Sequence, residues 1–212
     1  MADTLTNGSK SHITDNFKVM RQRRSVRKFK PDVPEREVLA GLVRHASLAP
    51  NAMNRQDWHF TFVLSAGVQK EIFLAVEEKW RQICLPDSGV NEAVKAYKRN
   101  FTAFRDAPVL VAVTTRKTPS FLVHILDGKA AGVMGSVASA YMAVQNLVLA
   151  AHAEGLGTCI FTGCNAAEEE ILKILKMTPK RELVCLIALG YPDEEPTFPG
   201  RKSVEEIMTL VE

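Results

Sequence analysis

A short basic segment is the strongest local feature of the sequence. Residues 21–30 (Arg-Gln-Arg-Arg-Ser-Val-Arg-Lys-Phe-Lys) carry six basic side chains in ten positions. Arginine guanidinium groups bind phosphate oxygens in bidentate pairs, and Ser25 adds a hydroxyl to the same run. Val26 and Phe29 alternate with charged neighbours, as in a half-buried strand. The segment therefore favours phosphate binding on a packed backbone, and a solvated charged surface or a nucleic-acid patch is the alternative.

A second polar segment covers residues 49–58 (Ala-Pro-Asn-Ala-Met-Asn-Arg-Gln-Asp-Trp), between a predicted helix and a predicted strand. Asn54 and Gln56 each carry hydrogen-bond donors and acceptors, which suit the amide and imide edge of a heteroaromatic ring. Alone, the segment would be an ordinary loop. The basic pair Arg201 and Lys202 follows a proline-rich arm and is also uninformative in isolation.

Common catalytic motifs are missing from the sequence. There is no GxxxxGK[ST] loop and no GxSxG elbow, and the five histidines have no obvious Ser or Cys partner. Gly155-Leu156-Gly157 closes a predicted helix and opens a strand, which is the reverse of a dinucleotide fingerprint. The four cysteines lack the ligand spacing of a zinc site, so metal binding is not expected. An enzyme with this sequence would depend on a cofactor for its chemistry.

Length and composition limit the remaining possibilities. The chain has 212 residues, of which 46% are hydrophobic and 24% charged, and its formal net charge is +3. These values predict one globular domain, or at most two small ones, and exclude disordered, collagen-like and disulfide-scaffold classes. The net charge requires neither a nucleic-acid nor a membrane partner. Scattered cysteines and a polar start predict a cytoplasmic protein whose residues 1–14 form a disordered tail.

Hydrophobic periodicity predicts helices and strands that are mixed without regular alternation, which indicates the α+β class. Ser65 is placed to cap a helix, and Asn165 with Glu168 has the spacing of a capping box. The predicted helices are 15–23, 34–50, 65–82, a looser region over 91–104, 130–155, 165–176 and a terminal helix from 203; the predicted strands are 58–64, 108–114, 157–161 and 182–189.

The long helix is the most unusual of these elements, because residues 130–151 contain no formally charged side chain. The segment is long enough to cross a membrane, but its Gly, Ser, Gln and Asn content argues against insertion. A helix that is apolar all round lies inside a core or between subunits. Small residues would let a second backbone approach one of its faces: Gly132, Ser136, Ser139, Ala143 and Ala150. We expect a central helix near a dimer interface.

Taken together, four segments resemble the FMN-dependent nitroreductase family. They are Arg-Arg-Ser-Val-Arg-Lys-Phe at 23–29, the segment 49–58, the run 145–151 followed by Glu-Gly-Leu-Gly-Thr-Cys at 154–159, and Ala-Leu-Gly-Tyr-Pro at 188–192 followed by residues 201–207. The resemblance covers residues 15–212 in the right order. It implies one FMN-binding domain over that range: an α/β sandwich with a mixed, antiparallel-type central sheet flanked by helices. It also implies an intertwined homodimer with FMN at the interface.

The resemblance further implies which residues bind FMN. They are Arg23, Arg24, Ser25 and Arg27; Pro50, Asn51, Ala52 and Asn54; Ile160, Phe161, Thr162 and Gly163; and Arg201 with Lys202. The first group would hold the phosphate, ribityl chain and pyrimidine edge, with Arg27 as electrostatic support for the reduced ring. The second would contact the flavin across the interface. The third would line the ring, with a backbone N–H near Gly163 facing the flavin N5, and the last pair would close on the phosphate.

No protein acid, base or nucleophile is implied. The expected function is electron transfer from NAD(P)H, as co-substrate, to a nitroaromatic, quinone or similar small conjugated acceptor by a ping-pong mechanism. The alternatives are a specialised member that dehalogenates or fragments flavin, a non-catalytic flavin-binding redox sensor, and a nucleic-acid-binding module. Asn51 stands where many members have Ser and Asp57 where Pro is common, so the substrate is not inferred from any relative. Residues 80–104 are where a substrate lid would lie, whereas Trp58, Trp80, Cys159 and Cys164 are expected to serve packing.

Overall fold

In the part of the chain that the structure describes, the fold is a four-stranded antiparallel sheet covered by helices on both faces. The computed structural model describes residues 17–84, 100–117 and 131–211. The predicted tail and residues 15–16 of the first predicted helix lie outside the described residues. So do most of the predicted 91–104 helix and most of the predicted lid segment, residues 80–104. The helices are α1 (Lys18–Gln22), α2 (Arg36–Ala46), α3 (Ala66–Ile83), α4 (Ala131–Ala153) and α5 (Glu168–Ile174); the strands are β1 (His59–Val63), β2 (Val109–Arg116), β3 (Gly157–Phe161) and β4 (Arg181–Gly190); and short 3₁₀ helices cover Ala52–Asn54 and Gly163–Ala167.

The strand order is β1-β2-β4-β3, and each neighbouring pair is antiparallel. Strand β2 is buried from Val109 to Thr115, as expected for a central strand with both faces covered. Alternate residues serve two cores. Val109 and Val111 pack with α2 and α4, whereas Leu110 and Ala112 pack with α3 and α5. The predicted α+β sandwich is confirmed, and all four predicted strands are present.

Helix α4 is the central helix of one core, as its composition predicts. Ala140, Ala143, Leu147 and Ala151 recur at helical spacing and are fully buried. On the opposite side of the helix, Met142 remains 40% exposed, so the described residues leave this position uncovered. Among the described residues, no helix combines the length and apolar character needed to cross a membrane.

Two helix predictions are wrong. Residues 163–167 form a 3₁₀ helix and α5 begins only at Glu168, so Asn165 is not a cap. The Asn165 Nδ2 instead donates to the carbonyls of Leu183 and Val184 (3.4 and 3.2 Å), and the Glu168 Oε1 accepts from the Leu183 N–H (3.1 Å). Both side chains thus form hydrogen bonds with backbone groups of β4 rather than with the end of the helix. The predicted helix from residue 203 is also absent over 203–211, where the chain makes one turn and its apolar side chains stay exposed; so short a helix is marginal without packing.

The basic segment is fastened along the outer side of β3. The Val26 N–H donates to the Thr158 carbonyl (3.0 Å) and the Lys30 N–H to the Tyr191 carbonyl (2.9 Å). Ser25 forms a parallel bridge with Thr158, and the Val26 side chain is buried. The segment is half-buried as predicted, but it forms two isolated bridges, at Ser25 and Phe29, rather than a strand. The packed backbone positions the charged side chains between these points.

Replacing Gly157 by alanine should destabilise this attachment. A Cβ at Gly157 would lie 2.7 Å from the Val26 Cβ, too close for two carbon atoms. Overpacking of this kind costs about 1–3 kcal/mol, which in a protein of this size lowers the Tm by about 2–12 °C. Thermal unfolding measures the effect. In a double-mutant cycle, Val26→Gly, which removes the Val26 Cβ and both methyl groups, should reduce the cost of Gly157→Ala; strict additivity of the two changes would contradict the close contact.

Candidate functional site

A cavity of about 510 Å³ opens where the basic segment meets the C-terminal arm (residues 194–211). Its lining includes most of the residues predicted for phosphate binding, together with arm residues: Arg23, Arg24, Ser25, Arg27, Glu194, Glu195, Pro196, Thr197, Pro199 and Arg201. We call this the arginine cavity. The predicted convergence of the basic segment and Arg201 is thus present in the structure. Lys202 is exposed and is not among the lining residues.

The arginine cavity concentrates positive charge. Burial lowers the pKa of the Arg23 guanidinium, and the neighbouring charges of Arg201 and Arg24 lower it further. In the described part of the chain, no ion pair engages the four lining arginines. The four guanidinium groups outnumber the two carboxylates of the lining, Glu194 and Glu195, and repel one another, so the arrangement is suited to an anionic ligand.

Phe198 joins the arm to the basic segment. The Arg24 guanidinium carbon lies 4.6 Å from the centre of the Phe198 ring, and that of Arg201 lies 5.3 Å from it. Both are cation–π distances. The Arg24 Nη1 also donates to the carbonyls of Arg21 and Arg23 (2.6 and 2.8 Å), which holds this guanidinium at the cavity wall.

Glu194 is a site residue that sequence reasoning missed. Its Oε1 accepts hydrogen bonds from the backbone N–H groups of Arg27 and Lys28, the latter at 3.1 Å. The Asp193 N–H also donates to the Lys28 carbonyl (2.9 Å). The carboxylate thus binds the backbone of the basic segment and fixes the position from which the Arg27 side chain extends. Glu194 stands in the acidic run Asp193-Glu194-Glu195, which carries no periodic or motif signal that could have shown this.

The amide-rich loop lines a different, smaller cavity of about 170 Å³. Its lining consists of loop residues and one face of α4: Asn51, Ala52, Met53, Arg55, Gln56, Asp57, Gly135, Ser136 and Ser139. Neither Pro50 nor Asn54, both predicted site residues, is among them. Asp57, which stands where Pro was expected, places its carboxylate 2.9 Å from the Arg55 Nε.

The loop backbone is strained. Met53, Asn54 and Gln56 all have positive φ, at 57°, 51° and 50°. Such conformations cost about 1–3 kcal/mol each in non-glycine residues and cluster at functional sites. The Gln56 N–H donates to the Asn51 Oδ1 (2.8 Å), and the Ala52 N–H donates to the Ser139 Oγ (3.3 Å). The first bond closes the loop on itself and the second ties it to α4, and together they maintain the strained shape.

The third predicted group surrounds a cleft of about 90 Å³ after β3. Arg27 lines this cleft as well as the arginine cavity, so it connects the two. The lining residues are Arg27, Asn100, Phe101, Cys159, Ile160, Phe161, Thr162 and Gly163. Ile160 is 38% exposed, whereas Phe161 is 5% exposed and packs edge-on against Phe104, with 5.5 Å between ring centres. We call this the β3 cleft.

The thiols near the β3 cleft are suited to packing. Burial raises the pKa of Cys159, against the opposing effects of Arg27 and Arg23. Burial raises the pKa of Cys164 to about 12, and its Sγ donates to the Phe161 carbonyl (3.1 Å). Both groups are therefore protonated near neutral pH and are poor nucleophiles. No His, Cys, Asp or Glu cluster that could hold a metal ion occurs within the described ranges.

Comparisons with known proteins show which family this chain belongs to. The family model "Nitroreductase family" matches residues 20–191. The chain belongs to the nitroreductase family. A putative NAD(P)H nitroreductase from Bacillus subtilis is 24% identical over 90% of this chain and 91% of its own. The family membership confirms the resemblance drawn from the four segments.

Two solved structures are similar to nearly the whole chain. A BluB-like flavoprotein from Clostridium difficile has a TM-score of 0.82 and 26% identity, covering 94% of this chain and all of its own. Oxidized iodotyrosine deiodinase, bound to FMN and 3-iodo-L-tyrosine, has a TM-score of 0.71 and 25% identity, covering 92% and 99%. The chain is thus similar to proteins whose names indicate different reactions.

Proposed function

We propose that this chain is an FMN-dependent oxidoreductase. The observation that carries the proposal is the arginine cavity, where four guanidinium groups without ion-pair partners in the described residues surround space for a phosphate. The half-buried Arg23, with its lowered pKa, fits a dianionic group because an anion would offset the repulsion from Arg24 and Arg201. The similarity to a BluB-like flavoprotein and to an FMN-bound iodotyrosine deiodinase adds support. The FMN-binding domain would extend over residues 15–212.

Different residues of the arginine cavity would bind different parts of FMN. Arg23, Arg24, Ser25 and Arg201 would hold the phosphate, with Lys202 at the cavity's outer side. Arg27 lines both the arginine cavity and the β3 cleft, so it would reach from the ribityl chain to the pyrimidine edge. Bound FMN supplies two-electron redox chemistry. Arg27 would stabilise negative charge at that edge.

The β3 cleft would receive the flavin ring. Ile160 offers an exposed apolar surface, whereas Phe161 supports it from the core. Thr162 and Gly163 lie where β3 passes into a 3₁₀ helix. The first N–H groups of a helix have no partner within it, so the Gly163 N–H would donate to the flavin N5.

The assembly we propose is an intertwined homodimer. The amide loop lines a cavity that shares no residue with the arginine cavity or the β3 cleft, so Pro50, Asn51, Ala52 and Asn54 would contact the flavin bound by the partner subunit. The C-terminal arm also exposes apolar side chains that a second subunit would cover. These are Val204, Ile207, Met208, Leu210 and Val211, at 47–93% exposure.

The proposed substrates are NAD(P)H and a small conjugated acceptor such as a nitroaromatic or a quinone. They would use the same flavin face in turn, which gives ping-pong kinetics. This part rests on the name of the Bacillus subtilis relative and on the absence from the sequence of a separate nicotinamide-binding fingerprint. No side chain has to act as an acid or base.

The absorption spectrum of the purified protein is the test. After incubation with FMN and gel filtration, flavin bands should remain with the protein and bleach when NADH or NADPH is added under argon. A nitroaromatic or quinone added next should restore the bands. A protein that retains no flavin would contradict the proposal. Retained bands that neither nicotinamide bleaches would leave the redox-sensor function instead.

A dehalogenating reaction is the second candidate, because the iodotyrosine deiodinase structure covers 92% of this chain at 25% identity. Reoxidation of the dithionite-reduced protein distinguishes the two. Faster reoxidation by 3-iodo-L-tyrosine than by a nitroaromatic would favour dehalogenation. Loss of the flavin chromophore on exposure to oxygen would favour the flavin-fragmenting alternative.

A further inference from the structure

Trp80, near the end of α3, makes a contact beyond packing. Its indole Nε1–H donates to the Gly163 carbonyl at 2.8 Å, across 83 positions of sequence. The indole is half-buried, and a buried Trp N–H generally finds such a partner. The sequence predicts a packing role for Trp80, and the structure adds this polar bond to the β3 cleft.

Phe101 holds the same glycine from another side. Its ring stacks on Trp80, with 4.0 Å between centroids and 20° between planes. A Cβ at Gly163 would lie 2.7 Å from the Phe101 Cγ, so the ring can occupy this place only because residue 163 is glycine. Phe101 lines the β3 cleft, whereas Trp80 is not among the lining residues. Trp80 therefore acts on the cleft through Gly163 and Phe101.

These contacts restrain the residue whose N–H matters for the proposed chemistry. The Gly163 N–H belongs to the peptide before its Cα and the Gly163 carbonyl to the peptide after it, so the contacts act on the N–H by limiting rotation about the two bonds of that Cα. Glycine has the widest backbone freedom of any residue, and Gly163 stands at the point where β3 becomes a 3₁₀ helix. With its carbonyl bonded to the indole and its Cα covered by a ring, Gly163 has little freedom to rotate. Hydrogen bonds weaken steeply as their angle departs from linear, so the direction of the Gly163 N–H determines its strength as a donor.

We propose that Trp80 is the positioning residue for the Gly163 N–H, holding it in line with the flavin N5. The inference rests on the proposed function, because it requires FMN in the β3 cleft. It assigns Trp80 an effect on flavin reactivity although the indole does not line the cleft.

Trp80→Phe tests this directly, because it removes the N–H donor and keeps an aromatic ring beside Phe101. The ¹⁵N resonance of N5 in bound, labelled FMN should move downfield, as expected for a weakened hydrogen bond. The rate of flavin reduction by NAD(P)H should fall about tenfold, the order of loss expected for small misplacement at a reacting centre. The matched control is Phe73→Leu, which removes a ring contact with Phe104 from the same helix and should lower the Tm while leaving N5 and the reduction rate unchanged.

An unchanged N5 resonance and rate in Trp80→Phe would overturn the inference, and so would equal changes in Phe73→Leu. If Trp80→Phe does not fold, the wild-type protein provides the test, because the chain has two tryptophans and Trp58→Phe assigns their indole signals. The Trp80 indole N–H signal should shift when bound flavin is reduced, and a signal that stays in place contradicts the role. Failure of wild-type protein to bind FMN would overturn the proposed function itself, whereas FMN binding with unaltered N5 in Trp80→Phe overturns this inference alone.

Discussion

Replacing Arg23 by alanine should raise the dissociation constant for FMN by about 10- to 100-fold. A hydrogen bond to a charged group contributes about 1.5–3 kcal/mol, and each 1.4 kcal/mol is a factor of ten in affinity. Arg23 is the guanidinium whose pKa is lowered by burial and by Arg201 and Arg24, so it is placed where an anion gains most. Adding Arg201→Ala should weaken FMN binding further. Titration of the apoprotein, followed by flavin fluorescence, measures both constants.

Two controls separate phosphate binding from general damage. Arg36→Ala removes the same charge from the exposed start of α2 and should leave the FMN affinity unchanged. Riboflavin has no phosphate, so Arg23→Ala should bind it as the wild type does. Equal losses for FMN and riboflavin would show that Arg23 serves the ring or the fold, and the phosphate assignment would fail.

Repulsion among the basic side chains explains why the sequence alone could indicate the arginine cavity. Six basic residues in ten positions are costly to hold on a packed backbone unless a ligand offsets them, so the composition itself predicts an anion. The strands were similarly predictable, because β2 and β4 are uninterrupted apolar runs whose burial on both faces leaves a strong local signal. Family membership then follows from the order of four weak segments.

Features that depend on a tertiary partner escaped prediction. Asn165 and Glu168 have the spacing of a capping box, yet both bind β4, because the 3₁₀ helix brings them beside Leu183. Trp80 reaches the Gly163 carbonyl only after α3 and β3 have packed. The helix predicted from residue 203 fails for the opposite reason: no described residue of the chain covers Ile207 and Leu210, which stay exposed. Local patterns do not record which distant group will compete for a side chain.

The proposed division of the site between two subunits predicts that two inactive variants restore each other. Arg23→Ala/Arg201→Ala disables the arginine cavity, and Asn51→Ala/Asn54→Ala disables the amide loop. Homodimers of either variant should retain little FMN. In a heterodimer purified through two different tags, one site combines both intact halves and the other combines both defective ones. The heterodimer should therefore bind FMN at about half the wild-type stoichiometry.

The contrary arrangement gives a different result, which makes the stoichiometry decisive. If each chain completed its own site, both sites of the heterodimer would carry one defect, and its FMN content would not exceed that of the parent homodimers. Gel filtration of each parent must show a dimer, so that low occupancy reflects a damaged site rather than separated subunits. The strained loop makes Asn51 the more sensitive position, because its Oδ1 accepts the Gln56 N–H. Asn54→Ala alone leaves that bond in place. Paired with the arginine variant in a heterodimer, it should restore FMN binding as well as the double loop variant does. A homodimer of Asn54→Ala that binds FMN as tightly as the wild type would place Asn54 outside the site.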